Sequence, residues 1–128
     1  MFIEFLKEMN SYDEFETNLN APTLVEFFSA NKSLMGRAYV EPGDEIKCKL
    51  YKNAPYKAKI KGNEVTERWS KFLNDNIEIT ASGDSNKINA LIIDYVNKNK
   101  ADVLSTLLLI TEYYTPENSE EASKLLLT

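Results

Sequence analysis

The 128 residues suffice for one domain with a single core, and the shares of hydrophobic (43%) and charged (27%) residues are ordinary for a globular chain. The absence of histidine and the presence of one cysteine exclude a disulfide framework, a cysteine-rich zinc site and the commonest general base. No apolar run reaches the roughly 18 residues of a membrane helix. Residues 1–8 mix acids into their apolar stretch and do not read as a signal peptide, so the expected setting is the cytoplasm.

The net charge of −5 hides a division. Residues 37–71 carry nine basic and five acidic side chains, and the rest of the chain carries six basic and fifteen acidic ones. A basic segment is therefore set in an acidic chain, a polarity that orients a charged partner.

In residues 2–19 the apolar positions Phe2, Phe5, Leu6, Met9, Tyr12, Phe15 and Leu19 recur at gaps of three and four. That spacing predicts one helix, or two short ones meeting near Asn10, with Ser11 to Glu14 as a capping box for the second. Residues 23–35 fit two readings. Thr23 to Glu26 is another capping-box pattern and Gly36 a helix stop, yet Leu24-Val25-Glu26-Phe27-Phe28 also reads as a strand. The sequence A-P-T-L-V-E-F-F-S-A resembles the strand that precedes a thioredoxin active site. Where that family carries C-x-x-C, this chain has Asn31-Lys32-Ser33-Leu34-Met35, so the resemblance implies no redox role.

Residues 37–40 predict a short strand, and Glu41-Pro42-Gly43-Asp44 a turn. The most strongly patterned stretch follows. Ile46, Cys48 and Leu50 alternate with Lys47, Lys49 and Tyr51, and after residues 52–55 Tyr56, Ala58 and Ile60 alternate with Lys57, Lys59 and Lys61. Side chains on a strand point to opposite faces in turn, so residues 45–61 predict a hairpin with one apolar and one lysine face. Gly62-Asn63 ends it. Thr66 is expected to cap a helix through Trp69, Phe72 and Leu73 that stops at residues 74–76. Residues 77–80 alternate like a strand, and Ser82-Gly83-Asp84 forms the next turn.

The last third reads as helical. Ile88, Leu91, Ile92, Tyr95 and Val96 form one stripe; Val103, Leu104, Leu107, Leu108, Thr111 and Tyr114 form the next, widened by Leu109 and Ile110. Thr115-Pro116-Glu117 opens a final helix ending in Leu125-Leu126-Leu127. Those leucines either fold back on residues 103–110 or form a dimer seam. The fold expected is a single α+β domain over residues 1–128. It has a small antiparallel sheet of three or four strands, centred on the hairpin and packed against N- and C-terminal helices.

No glycine-rich phosphate loop, nucleophile motif or metal-ligand cluster is present, so the chain reads as a non-enzymatic protein without cofactor or metal. Cys48, on the apolar face, reads as inert packing. The acidic balance suggests a small inhibitor or immunity-type protein of bacterial or phage origin that neutralises a basic effector such as a nuclease or toxin. Its candidate contacts are Tyr51, Tyr113, Tyr114, Glu117, Glu120 and Glu121. The alternative is a nucleic-acid-binding accessory domain in which Lys47, Lys49, Lys57, Lys59 and Lys61 neutralise phosphates and Tyr51 stacks on a base. Lysines on an exposed sheet face also serve solubility alone. Leu34, Pro42, Gly43, Tyr56 and Ala58 resemble the sheet of the restriction adenine methylase-associated domain, which would imply binding to modified DNA. The serine-proline-serine helix start and the glycine-tryptophan end of that family are missing.

Overall fold

The computed structural model describes the backbone of residues 2–6 and 12–16 and the whole of residues 18–51 and 54–113. The chain divides into two compact units, Met1–Ile77 and Glu78–Thr128. The class is α+β: among the described residues there are six strands, four α-helices and one 3₁₀ turn.

The first unit is built on the patterned hairpin. Strand β5 (Glu45–Lys49) and strand β6 (Lys59–Lys61) pair antiparallel, with Cys48 opposite Ile60. Between them Pro55–Lys57 makes a 3₁₀ turn. Pro55 has no N–H to donate to a ladder, which shortens the second strand to three residues and places Tyr56 and Lys57 in the turn rather than on the sheet. Ile46, Cys48, Leu50, Ala58 and Ile60 are buried as the alternation predicts, and with Ala38 and Val40 they form the core of this unit.

The N-terminal segment corrects the sequence reading. Phe2–Leu6 is strand β1 and Tyr12–Glu16 is strand β2, not helix. β1 pairs antiparallel with β2 and parallel with β5, giving a four-stranded order β2-β1-β5-β6 that is mixed rather than purely antiparallel. The helical spacing leaves out Ile3. The run Phe2-Ile3-Glu4-Phe5-Leu6 is rich in β-formers, and a ladder on each side of β1 outweighs a marginal 3.6-residue period.

The ambiguous stretch resolves as strand. Strand β3 (Thr23–Phe28) pairs antiparallel with strand β4 (Leu34–Val40) in a second, two-stranded sheet, with a bulge at Phe27/Phe28. Gly36 lies on β4 among Leu50, Ala58 and Ile60: a Cβ there would sit 3.2 Å from Leu50 Cδ2. The turn at residues 41–44 forms as expected, with the Asp44 amide donating to the Glu41 carbonyl and Gly43 at φ +87°.

Helix α1 (Glu64–Asp75) follows Gly62. Its cap is Asn63, whose Oδ1 accepts from the Thr66 amide at 2.9 Å. Thr66 is instead buried, and its hydroxyl donates to the Tyr39 carbonyl (2.6 Å) while accepting from the Tyr39 amide (3.0 Å). One turn on, Ser70 Oγ accepts from the Ile60 amide (3.1 Å) and donates to the Ala58 carbonyl (2.8 Å). A further turn on, Asn74 Nδ2 donates to the carbonyls of Tyr56 (2.8 Å) and Ala58 (3.2 Å). Residues four apart lie on one helix face, so Thr66, Ser70 and Asn74 make a polar stripe that satisfies backbone groups on β4, β6 and the turn before β6. A strand edge is thereby covered by a helix rather than left open to pairing.

Residues 77–80, expected as a strand, form the short helix α2 (Ile77–Thr80). They follow Asn76, the C-cap of α1, and no strand partner lies beside them among the described residues. In the second unit, helix α3 (Ser85–Lys98) starts on the Asp84 cap and buries Ile92 and Val96. Helix α4 (Val103–Thr111) starts on the Asp102 cap and buries Leu104, Leu107, Leu108 and Leu109. Asp102 also accepts from the Tyr95 hydroxyl, and Ser105 Oγ donates to the Asn99 carbonyl, which fixes the turn between the two helices. Val103 and Ile110, expected on the buried stripe, are exposed. The final helix and the leucines at 125–127 lie outside the described residues.

Candidate anion-binding face

The register of β5 and β6 brings lysines together in pairs. Lys47 stands opposite Lys61 and Lys49 opposite Lys59, and all four side chains are exposed. Lys57, expected on the same strand surface, is exposed in the 3₁₀ turn instead. Among the described residues the ion pairs join Arg37 to Glu26, Arg68 to Glu64, Lys71 to Asp75 and Lys98 to Asp94, and none of them uses a lysine of the hairpin.

The neighbouring sheet is arranged the other way. Glu26 on β3 is opposite Arg37 on β4, and Arg37 Nε donates to Glu26 Oε2 at 3.0 Å. Opposite charges facing each other across a ladder stabilise it and like charges destabilise it. The β3–β4 ladder carries the favourable arrangement here and the β5–β6 ladder the unfavourable one twice, while on its other side Lys47 is opposite Glu4 of β1. Edge protection is a poor account of this: β6 is an edge strand, but Ser70 and Asn74 of α1 already bond its outer side. β5 lies inside the sheet, so that argument does not cover Lys47 and Lys49.

The rows across the sheet differ. In one, the register runs Glu14, Glu4, Lys47, Lys61; in the next it runs Tyr12, Leu6, Lys49, Lys59. The second row contains no acid, so cationic character concentrates at Lys49 and Lys59. There the Lys49 ammonium lies 5.8 Å from the centre of the Tyr51 ring, within the range of a cation–π contact. Tyr51, Lys57 and Lys59 further line an open cleft of about 250 Å³ with Asn74 and Ile77.

Asn74 and Ile77 escaped the sequence reading, which took the first as a helix stop and the second as a strand residue. The spacing Thr66, Ser70, Asn74 was the signal, since three polar residues on one helix face need a reason when that helix lies on a sheet. Of the candidates for a protein partner, Tyr51 lies beside the lysines and Tyr113 is half-buried just past α4, in the other unit. Tyr114, Glu117, Glu120 and Glu121 lie outside the described residues.

Cys48 is buried, and burial pushes its thiol from the ordinary 9.0 up to about 12. Among the described residues no three of Cys, Asp and Glu converge where a metal ion would be held, and no helix is long and apolar enough to cross a membrane. Comparison with known proteins finds no matching family model and no match among curated proteins or solved structures.

Proposed function

We propose that the chain is a non-enzymatic binding module that holds single-stranded nucleic acid on the lysine face of β5 and β6. The observation that carries this reading is the doubled like-charge pairing, Lys47 with Lys61 and Lys49 with Lys59, on a ladder whose outer edge α1 already covers. Phosphates set between paired ammonium groups would relieve the repulsion that the bare ladder carries. Arg37 and Arg68 are the only arginines, and both pair with glutamates of this unit, so bidentate reading of duplex base edges has little support. The half-buried Tyr51 beside the lysines offers a ring on which an unstacked base can lie. A cytoplasmic setting agrees with such a partner.

The test is fluorescence anisotropy of a labelled oligonucleotide over a salt series. Engagement of four lysines predicts a log–log slope of about −3, from roughly −0.7 per neutralised phosphate on a single strand. Lys47→Glu with Lys49→Glu should abolish binding. Absence of binding at low salt would remove the proposal.

A second reading rests on the charge outside residues 37–71, six basic against fifteen acidic residues. It is the inhibitor or immunity-type protein that captures a basic effector, with Tyr51, Tyr113, Tyr114, Glu117, Glu120 and Glu121 as contacts. Charge reversal at Glu117, Glu120 and Glu121 should then slow association with a basic protein partner.

A further inference from the structure

The cleft beside the lysine face is built differently from the face itself. Its lining brings together an aromatic residue (Tyr51), an aliphatic one (Ile77), two ammonium groups (Lys57 and Lys59) and one amide (Asn74). Its volume, about 250 Å³, falls below the roughly 300–1,000 Å³ that drug-sized ligands occupy. It therefore suits a small flat group such as one ring system.

Asn74 is fixed in place. Its Nδ2 donates to the carbonyls of Tyr56 and Ala58, and since both partners are acceptors the orientation of the amide is settled. Both hydrogens are spent, so what Asn74 offers a ligand is its carbonyl oxygen, an acceptor for an N–H on the edge of a base. Lys57 lies in the turn between those two carbonyls, so the contact that orients Asn74 also holds the backbone carrying Lys57.

We infer that this cleft seats one unstacked nucleobase, its ring against Tyr51 and Ile77, an N–H of its edge on the Asn74 carbonyl and its flanking phosphates on Lys57 and Lys59. The inference rests on the nucleic-acid reading above and adds to it: the lysine pairs hold the backbone, and the cleft takes a base. Stacking on an aromatic residue is tolerant of sequence because every base presents a π face. Asn74, as an acceptor only, requires that the base approach with a donor.

The experiment compares an ordinary oligonucleotide with one of the same length in which every base is replaced by an abasic residue, both by anisotropy against the full chain. The abasic strand should bind about tenfold more weakly, the order of one base stacked on an aromatic side chain. Tyr51→Leu should remove that difference, and Tyr51→Phe, which keeps the ring, should restore it. An unchanged thermal melt followed by circular dichroism shows that the variant has folded. Equal affinity of the unaltered protein for the two strands would overturn the base seat while leaving backbone binding in place. Failure to bind either strand would remove both.

Discussion

Lys49 on β5 stands directly opposite Lys59 on β6, with the Tyr51 ring 5.8 Å from the Lys49 ammonium. A like-charge pair in this position weakens its ladder, and exchanging one member for an acid should strengthen it. Lys59→Glu is expected to stabilise the protein by about 0.2–1 kcal/mol in denaturant melts, the usual range for a cross-strand pair. The same change should lower affinity for oligonucleotides. Stability and binding thus move in opposite directions, which a purely structural role for these lysines does not produce.

The polar stripe of α1 gives a second expectation. Thr66 serves both backbone groups of Tyr39, and its hydroxyl is buried with them. Thr66→Val keeps the shape and strands an amide and a carbonyl without partners, at a cost of about 1–3 kcal/mol. Thr66→Ser keeps the hydroxyl and should recover much of that loss. Chemical denaturation of the two variants side by side measures the difference.

The same stripe shows what the sequence made legible and what it did not. The hairpin was readable because Ile46, Cys48 and Leu50 alternate with lysines, and a period of two has one simple explanation. The helices α3 and α4 were readable from their apolar stripes, and in the structure Asp84 and Asp102 cap them. β1 and β2 were not. Their residues fit a helical period nearly as well, and the state of β1 is decided by pairing with β5, a partner some forty residues away in the chain, and that of β2 by pairing with β1. Asn74 was missed for a related reason: a polar residue near a helix end reads as a cap or as solvent-facing until the strand beneath it is known.

Gly62 joins β6 to α1 at φ +154°, pressed against β5. A Cβ there would collide with the Ile46 side chain and come within 2.7 Å of the Glu45 carbonyl oxygen. Backbone on one side and a fully buried isoleucine on the other leave little room to give. Gly62→Ala should therefore destabilise by about 1–3 kcal/mol, the usual cost of overpacking, and more if the strand cannot shift. Gly43, with open space around it, should accept alanine at the cost of its positive φ alone.

Cys48 supplies a pH dependence. Its folded-state value near 12 lies above the ordinary 9.0, because burial disfavours the thiolate. The native state keeps this proton where the unfolded chain releases it. The stability contribution is fully present below about pH 9 and is lost as pH rises from there towards 12. Urea melts from pH 8 to 11 should show this decline, and Cys48→Ala should lack that part of it. In the native protein at pH 8, a thiol reagent should react with Cys48 only as fast as the chain opens.

The central claim is that the binding face is the β5–β6 ladder and its adjoining cleft. Titrating a short single-stranded oligonucleotide into isotopically labelled protein, and following each backbone amide by NMR, locates the contact directly. Shifts should concentrate at Lys47, Lys49, Tyr51, Lys57, Lys59 and Lys61, with Asn74 and Ile77 moving as a base enters. Shifts confined to α3 and α4, or none at low salt, would contradict it.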